Sequence, residues 1–192
     1  MLLEDSYQNF PLPGGEMVEG MFPTYQWYQA MAEVVPIKNK TLLDLGCCTF
    51  GYGVQALMDG AAYVTGVEKE LRRVQQSQEV LQRVGDLRSK TGLHWTSIED
   101  FYLGNSTYDI VLFSMIIHWL KNPEDEIRRF WNVTNEHMVL IYRHVNEGVD
   151  EPGYRPTVEA LDFLIGIKHK AHCILSNTLE QNIHMVVYGA HL

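Results

Sequence analysis

Leu42-Leu43-Asp44-Leu45-Gly46-Cys47-Cys48-Thr49-Phe50-Gly51-Tyr52-Gly53 is the stretch on which the fold turns. The apolar run that starts at Thr41 and stops at Gly46 has the pattern of a strand buried on both faces in a parallel sheet. Small residues and glycines then lead into a helix expected over 53–60, with Val54, Ala56, Leu57 and Met58 on its apolar side. Glycine lets backbone approach a ligand where a Cβ would collide. A helix start offers N–H groups that have no partner within the helix. The stretch therefore reads as a strand, a turn and a helix arranged around a bound molecule.

Working outward, a second strand is expected over 62–67, and Glu68 closes it, 24 residues beyond Asp44. An acid at that place accepts both hydroxyls of a ribose in dinucleotide-binding folds. A charged amphipathic helix follows over 69–84, then strands over 93–96 and 108–113, a helix over 123–133 and a strand over 137–144. A helix over 156–170 opens at Pro156. Two strands, 173–175 and 183–188, are joined by a polar stretch over 176–182. Upstream, residues 1–24 are rich in turn formers (Pro11, Pro13, Gly14, Gly15, Gly20, Pro23) and read as an irregular arm. A helix over 25–35 is stopped by Pro36. The alternation implies an α/β fold: a mostly parallel sheet with a C-terminal antiparallel strand pair and helices on both faces, in three layers. Ligands in such sheets sit beyond the carboxyl ends of the strands.

The 192 residues are 46% hydrophobic and 20% charged, ordinary globular usage that argues against disorder. With 15 basic and 24 acidic residues, the net charge is −9. That field repels phosphate backbones, so nucleic acid is not the expected partner. Three cysteines (Cys47, Cys48, Cys173) make no disulfide framework, and with eight scattered histidines they show no metal-ligand spacing. No metal is expected. Met1-Leu2-Leu3 runs straight into Glu4 and Asp5, and no apolar run approaches the roughly 18 residues that cross a bilayer. The expectation is a cytoplasmic protein with no membrane partner.

The order of these features resembles the class I S-adenosylmethionine-dependent methyltransferases, with a Rossmann-like fold. Their first motif is an acid followed by Gly-x-Gly-x-Gly, and Asp44-x-Gly46 stands as that pattern requires. Cys48 takes the place of the second glycine and Phe50 that of the third, with Gly51 one place late. The likeness covers about residues 40–145, and the terminal strand pair by pattern. It implies S-adenosylmethionine as cofactor, held by the turn (Asp44, Gly46, Cys47, Cys48, Gly51), with Glu68 and the adjoining Lys69 at the ribose. Ile98 and Glu99, in the segment Ser97-Ile98-Glu99-Asp100, would flank the adenine, and Ser114 would face cofactor and substrate. It also implies a division into an N-terminal arm with a cap helix (1–36) and a cofactor-binding methyltransferase domain (37–192). The lead-in Tyr7-x-x-Phe10-Pro11-Leu12-Pro13-Gly14-Gly15, followed by Gly20, is similar to that of methyltransferases related to wobble-uridine tRNA modification. Their substrate is not carried over.

His118 follows Ser114-Met115-Ile116-Ile117, at the end of the fourth strand. A neutral imidazole there can take a proton from an attacking hydroxyl or amine, so His118 is the candidate catalytic base. Trp119 beside it, and Arg143 closing the fifth strand, are the candidate substrate contacts, with Arg143 forking onto a carboxylate. The expected reaction is methyl transfer to a small-molecule acceptor, preferably a hydroxyl. Two alternatives share the turn: a non-catalytic domain that binds S-adenosylmethionine or S-adenosylhomocysteine, and a nicotinamide-dependent oxidoreductase.

Overall fold

In the computed structural model, which describes residues 2–144, 154–177 and 182–190, Leu42, Leu43, Asp44 and Leu45 are all buried. Cover on both faces is the physical reason the run is apolar throughout rather than alternating. This strand, Thr41–Leu45, is β5; four short strands and a helix precede it.

The chain divides into two compact units, residues 1–102 and 103–192. In the first, β5 pairs in parallel with β6 (Tyr63–Glu68), and β6 in parallel with β7 (Thr91–Trp95). Asp44 lies opposite Gly66 in the register, and Glu68 opposite Trp95. Helix α2 (Gly51–Met58) connects β5 to β6, and α3 (Leu71–Arg83) connects β6 towards β7. Helix α3 buries Val74, Val80 and Leu81 on one stripe and leaves its charges outward, the amphipathic division expected of a helix on a sheet. A 3-10 segment, Gly85–Lys90, closes the connection.

The N-terminal arm departs from the irregular segment expected. It forms β1 (Ser6–Gln8) parallel to β4 (Gly20–Phe22), and β2 (Phe10–Pro11) antiparallel to β3 (Met17–Val18). Pro13, Gly14 and Gly15 sit in the connection between β2 and β3, where Gly14 and Gly15 have φ of +100° and +89°, while Pro11 and Gly20 lie within strands. Phe10, Leu12, Val18 and Phe22 are buried, Phe10 against Gly51 of α2 and Phe22 beside Trp27 of the helix that follows. Helix α1 is Thr24–Ala32, three residues shorter than the expected end at 35. Val35 precedes Pro36, whose ring disfavours helical backbone at the preceding residue.

In the second unit the strand order is β8 (Tyr108–Ser114), β9 (Thr134–Arg143), β11 (Asn182–Gly189), β10 (Ala171–Asn177). β8 and β9 are parallel; β11 is antiparallel to both β9 and β10. The C-terminal antiparallel pair is thus present, and its expected polar connection falls in part, at 178–181, outside the described residues. Helix α4 (Pro123–Trp131) carries Pro at its start, acids in its first turn and arginines in its last, in line with the helix dipole. Helix α5 (Val158–Ile165) is shorter than the 156–170 expected. Thr157 caps its start, its side chain accepting from the Ala160 N–H at 3.2 Å, and Gly166 ends it at φ +82°. The fold is α/β and Rossmann-like, mostly parallel. Among the described residues, no helix is long and apolar enough to cross a membrane.

Candidate cofactor site

The turn after β5 is bent by three residues in left-handed backbone: Gly46 at φ +73°, Cys48 at +53° and Phe50 at +69°. Only the first is glycine, and L-residues rarely adopt that region without support. Gly46 and Cys47 both donate their N–H to the Val67 carbonyl, at 2.8 and 3.0 Å, which ties the turn to β6. The Phe50 N–H closes back on the Cys47 carbonyl at 2.8 Å. On α3, the Ser77 hydroxyl donates to the Cys48 carbonyl at 2.6 Å.

Glu68 turns inward to the same turn. It is 5% exposed, and its Oε2 accepts from the Cys48 N–H at 3.1 Å, while Oε1 accepts from the Glu70 N–H at 2.8 Å. Each oxygen keeps a further lone pair for a ligand hydroxyl. Asp44 lies deeper, 1% exposed, and neither carboxyl oxygen has a hydrogen-bond partner. Burial, and then the nearby Glu68 carboxylate, push the Asp44 carboxyl up to about 8. A buried acid with no donor is unfavourable unless a cationic or donating group reaches it. The ammonium end of an amino-acid-bearing cofactor has the required charge and donors, so these residues fit S-adenosylmethionine.

Phe50 packs its ring between helix and strand. Its ring is fully buried in the slot between α2 and β6: a Cβ built on Gly53 or on Gly66 would lie 2.5 Å from a ring carbon. Cys47 and Cys48 are buried and free, and burial pushes both thiols up, Cys48 to about 12. They are neutral fillers rather than nucleophiles. Gly51 spends its N–H on the side chain of Gln8, which accepts it at 2.9 Å. Gln8 was not singled out in the sequence, and no local pattern marks it.

Of the remaining candidates in this unit, Ile98 is buried and Glu99 half-buried, just beyond β7. Thr96 donates its N–H to the Glu68 carbonyl at 3.0 Å, so this segment runs beside the end of β6. The Lys69 side chain is exposed; its carbonyl accepts from the Trp95 indole at 3.0 Å. Asp44, Gly46, Cys47, Cys48 and Glu68 thus come together in one cluster, with Ile98 and Glu99 following the adjoining strand.

In the second unit, Ser114 ends β8 half-buried, and Met115 at φ +55° donates its N–H to Ile141 of β9 at 2.7 Å. A short 3-10 turn, Ile117–Trp119, follows. It holds His118 half-buried, with Nδ1 buried and without a partner, and leaves Trp119 70% exposed with its ring 5.1 Å from the imidazole. Burial, then the positive fields of Arg143 and Arg155, lower His118 to about 4. Arg143 is half-buried at the end of β9, and its Nε has no hydrogen-bond partner. Among the described residues no group of three histidine, cysteine or acidic side chains is arranged to hold a metal ion.

The chain is similar to known proteins in sequence and in fold. A family model described as a methyltransferase domain matches residues 43–141. An uncharacterised protein of Haemophilus influenzae is 33% identical over 94 residues, 48% of this chain and 37% of that relative, so the match spans about a third of the relative's length. Among solved structures, magnesium protoporphyrin IX methyltransferase (ChlM) of Synechocystis PCC 6803 with bound S-adenosylhomocysteine has a TM-score of 0.70 at 12% identity. It covers 85% of this chain and 83% of its own. An S-adenosylmethionine-dependent methyltransferase of Mesorhizobium loti has a TM-score of 0.64 at 12% identity, covering 86% and 97%. The N-terminal domain of EvdMO1, crystallised in the presence of S-adenosylhomocysteine and D-fucose, has a TM-score of 0.69 at 16% identity, covering 98% and 93%. At these identities the structural likeness speaks for the fold.

Proposed function

Because this chain belongs to the methyltransferase-domain family, whose cofactor is S-adenosylmethionine, we propose that it transfers the cofactor's methyl group to a small-molecule acceptor, through a hydroxyl oxygen. The observation that carries the cofactor part is Asp44, a buried carboxyl beside Glu68 whose two oxygens have no hydrogen-bond partner. Asp44 receives the ammonium of the amino-acid part, and Glu68 accepts the ribose hydroxyls with the lone pairs its backbone bonds leave unused. When bound, the cofactor supplies a methyl carbon already activated by a sulfonium. The protein's work is therefore alignment and exclusion of water rather than a covalent relay.

On the acceptor side, His118 is assigned the proton. Its imidazole is neutral across the physiological range, and its unfilled Nδ1 offers a lone pair to a hydroxyl. Arg143 holds an anionic group of the acceptor through its free Nε, and Trp119 offers an exposed aromatic face. A small acceptor is favoured by the net charge of −9, which opposes a polyanion such as RNA.

Calorimetric titration tests the cofactor part. S-adenosylhomocysteine is expected to bind and NAD not to bind, and Glu68→Ala to abolish the binding. Binding of NAD instead, or unaltered affinity in the variant, overturns this reading. Transfer of labelled methyl to a panel of small hydroxyl compounds, run beside tRNA and a porphyrin carboxylate, tests the acceptor. Label appearing only in RNA or on the porphyrin refutes the small-hydroxyl assignment.

A further inference from the structure

The cofactor turn is held in place by a residue that is separated from it by more than forty positions in sequence. Cys48 and Phe50 occupy left-handed backbone without being glycines. Such residues persist only where their surroundings over-determine them. Two of the outside restraints come from the neighbouring β–α elements: Glu68 on the Cys48 N–H, and Ser77 on the Cys48 carbonyl. The third comes from the N-terminal arm. Gln8 on β1 is 5% exposed, and its single Oε1 accepts from the Thr49 hydroxyl at 3.0 Å and from the Gly51 N–H at 2.9 Å. The Ser6 hydroxyl stands 3.2 Å from that of Thr49 and completes the network.

The fit of the arm onto the turn is built in backbone. A Cβ on Gly51 would lie 2.7 Å from the Phe10 ring and 3.1 Å from Gln8 Oε1. A Cβ on Gly20, across from β1, would lie 2.2 Å from the Gln8 carbonyl carbon. Glycine at both places lets Gln8 be gripped from two sides. The arm is in turn fastened to α3, by Arg72 to Asp5 at 2.6 Å, Arg83 to Glu16 at 3.0 Å, and the Arg73 guanidinium 5.3 Å from the centre of the Tyr7 ring. Exposed ion pairs of this kind are individually weak, so the buried Gln8 contacts are the specific part.

The Gly51 N–H is a donor at the first turn of α2, the place where nucleotide folds seat a phosphate. Here a neutral amide oxygen fills it. The Thr49 hydroxyl and the Gly51 N–H therefore face the arm, while the Phe50 N–H closes within the turn, and the ligand is left the side that carries Asp44 and Glu68.

Resting on the cofactor reading above, we propose that Gln8 is a positioning residue for the cofactor: it never touches the ligand, yet sets the affinity by holding Thr49 and Gly51 in the binding shape of the turn. The test compares Gln8→Met, which keeps length without an acceptor, with Gln8→Glu, which keeps the acceptor. Three quantities are read on each full-length protein: S-adenosylhomocysteine affinity by calorimetry, melting temperature, and hydrogen exchange of the Gly51 amide. Gln8→Met is expected to weaken binding about tenfold or more and to expose the Gly51 amide to exchange. Gln8→Glu is expected to stay within about threefold of wild type and to keep the amide protected. A Gln8→Met protein that melts lower but binds as tightly as wild type overturns the proposal, since Gln8 would then only stabilise the arm. Should Gln8→Met not fold, Thr49→Val removes one of the two donors; wild-type affinity in that variant overturns the proposal equally. Failure of the wild-type protein to bind S-adenosylhomocysteine refutes the cofactor reading instead. The Gly51 exchange rates of the unliganded variants still decide whether Gln8 holds the turn.

Discussion

Replacing Asp44 by asparagine separates the site's function from its stability, because the same carboxyl is needed for the ligand and costly without it. In the unliganded protein burial, and then the Glu68 carboxylate, push this group up from an ordinary 3.8 to about 8. The folded state therefore binds the proton more tightly than the unfolded chain. Between these two values stability falls as pH rises, and it is level above and below them for this group. From about pH 5 to about pH 8 the fall spans three units at about 1.4 kcal/mol each, giving a loss of about 4 kcal/mol at most. Domains of this size have total stabilities of about 5–15 kcal/mol, so the slope is large enough to measure. Urea unfolding of the unliganded wild type at the two pH values is expected to show it, and Asp44→Asn to lose most of it. The variant should be the more stable protein at about pH 8 and should bind S-adenosylhomocysteine poorly. Two parallel stability profiles, with the same slope in wild type and variant, would refute the argument. So would undiminished ligand affinity in the variant, since the ammonium would then have another partner.

Two further substitutions probe other parts of the molecule. His118→Ala is expected to lower turnover with little change in S-adenosylhomocysteine affinity. Because burial and two arginines hold the imidazole at about 4, the wild-type rate should be independent of this group at neutral pH and fall only as pH drops towards that value. A rate controlled by a group titrating near 6.5, the ordinary histidine value, would count against His118 as the base. Phe50→Ala removes a fully buried ring from between α2 and β6 and is expected to cost about 3–5 kcal/mol in chemical denaturation. A loss below about 1 kcal/mol would mean that the slot collapses freely and that the ring does not set the spacing of helix and strand.

The parts of this fold that were legible in sequence are those with a periodic or unbroken apolar signal. β5 and β8 read as strands because both faces are covered, so every residue from Ile110 to Phe113 is apolar and buried. The stripe of α3 is visible at helical spacing for the same reason. Strands of two or three residues carry no period, and β1 to β4 were read as an irregular arm. What defines them is main-chain pairing between distant positions, such as Ser6 with Gly20, which no local window contains. In the site, Asp44 and Glu68 stood out by their place at strand ends. Gln8 did not, because its importance lies in two donors 41 and 43 positions away. The boundary of α5 was missed by choice of terminator: Gly166, in left-handed backbone, stops the helix before the chain reaches 170.

The departure of the turn from an all-glycine pattern has a structural resolution. A glycine-rich turn gains its shape from backbone freedom and leaves helix and strand close together. Here that freedom is given up at 48 and 50, and the space is found elsewhere. Gly53 and Gly66 are bare where a side chain would strike the Phe50 ring, and Gly51 is bare where one would strike Phe10. The Phe50 ring then fills the gap between α2 and β6 that a glycine at 50 would have left empty. The strain in Cys48 is balanced by fixed partners on both its N–H and its carbonyl. Conformational freedom in the turn has been exchanged for packing beneath it and hydrogen bonds around it. One consequence is that the turn cannot be understood from its own twelve residues: β6 and α3 hold the Cys48 N–H and carbonyl, and the N-terminal arm holds Gly51, beside the left-handed backbone of Cys48 and Phe50.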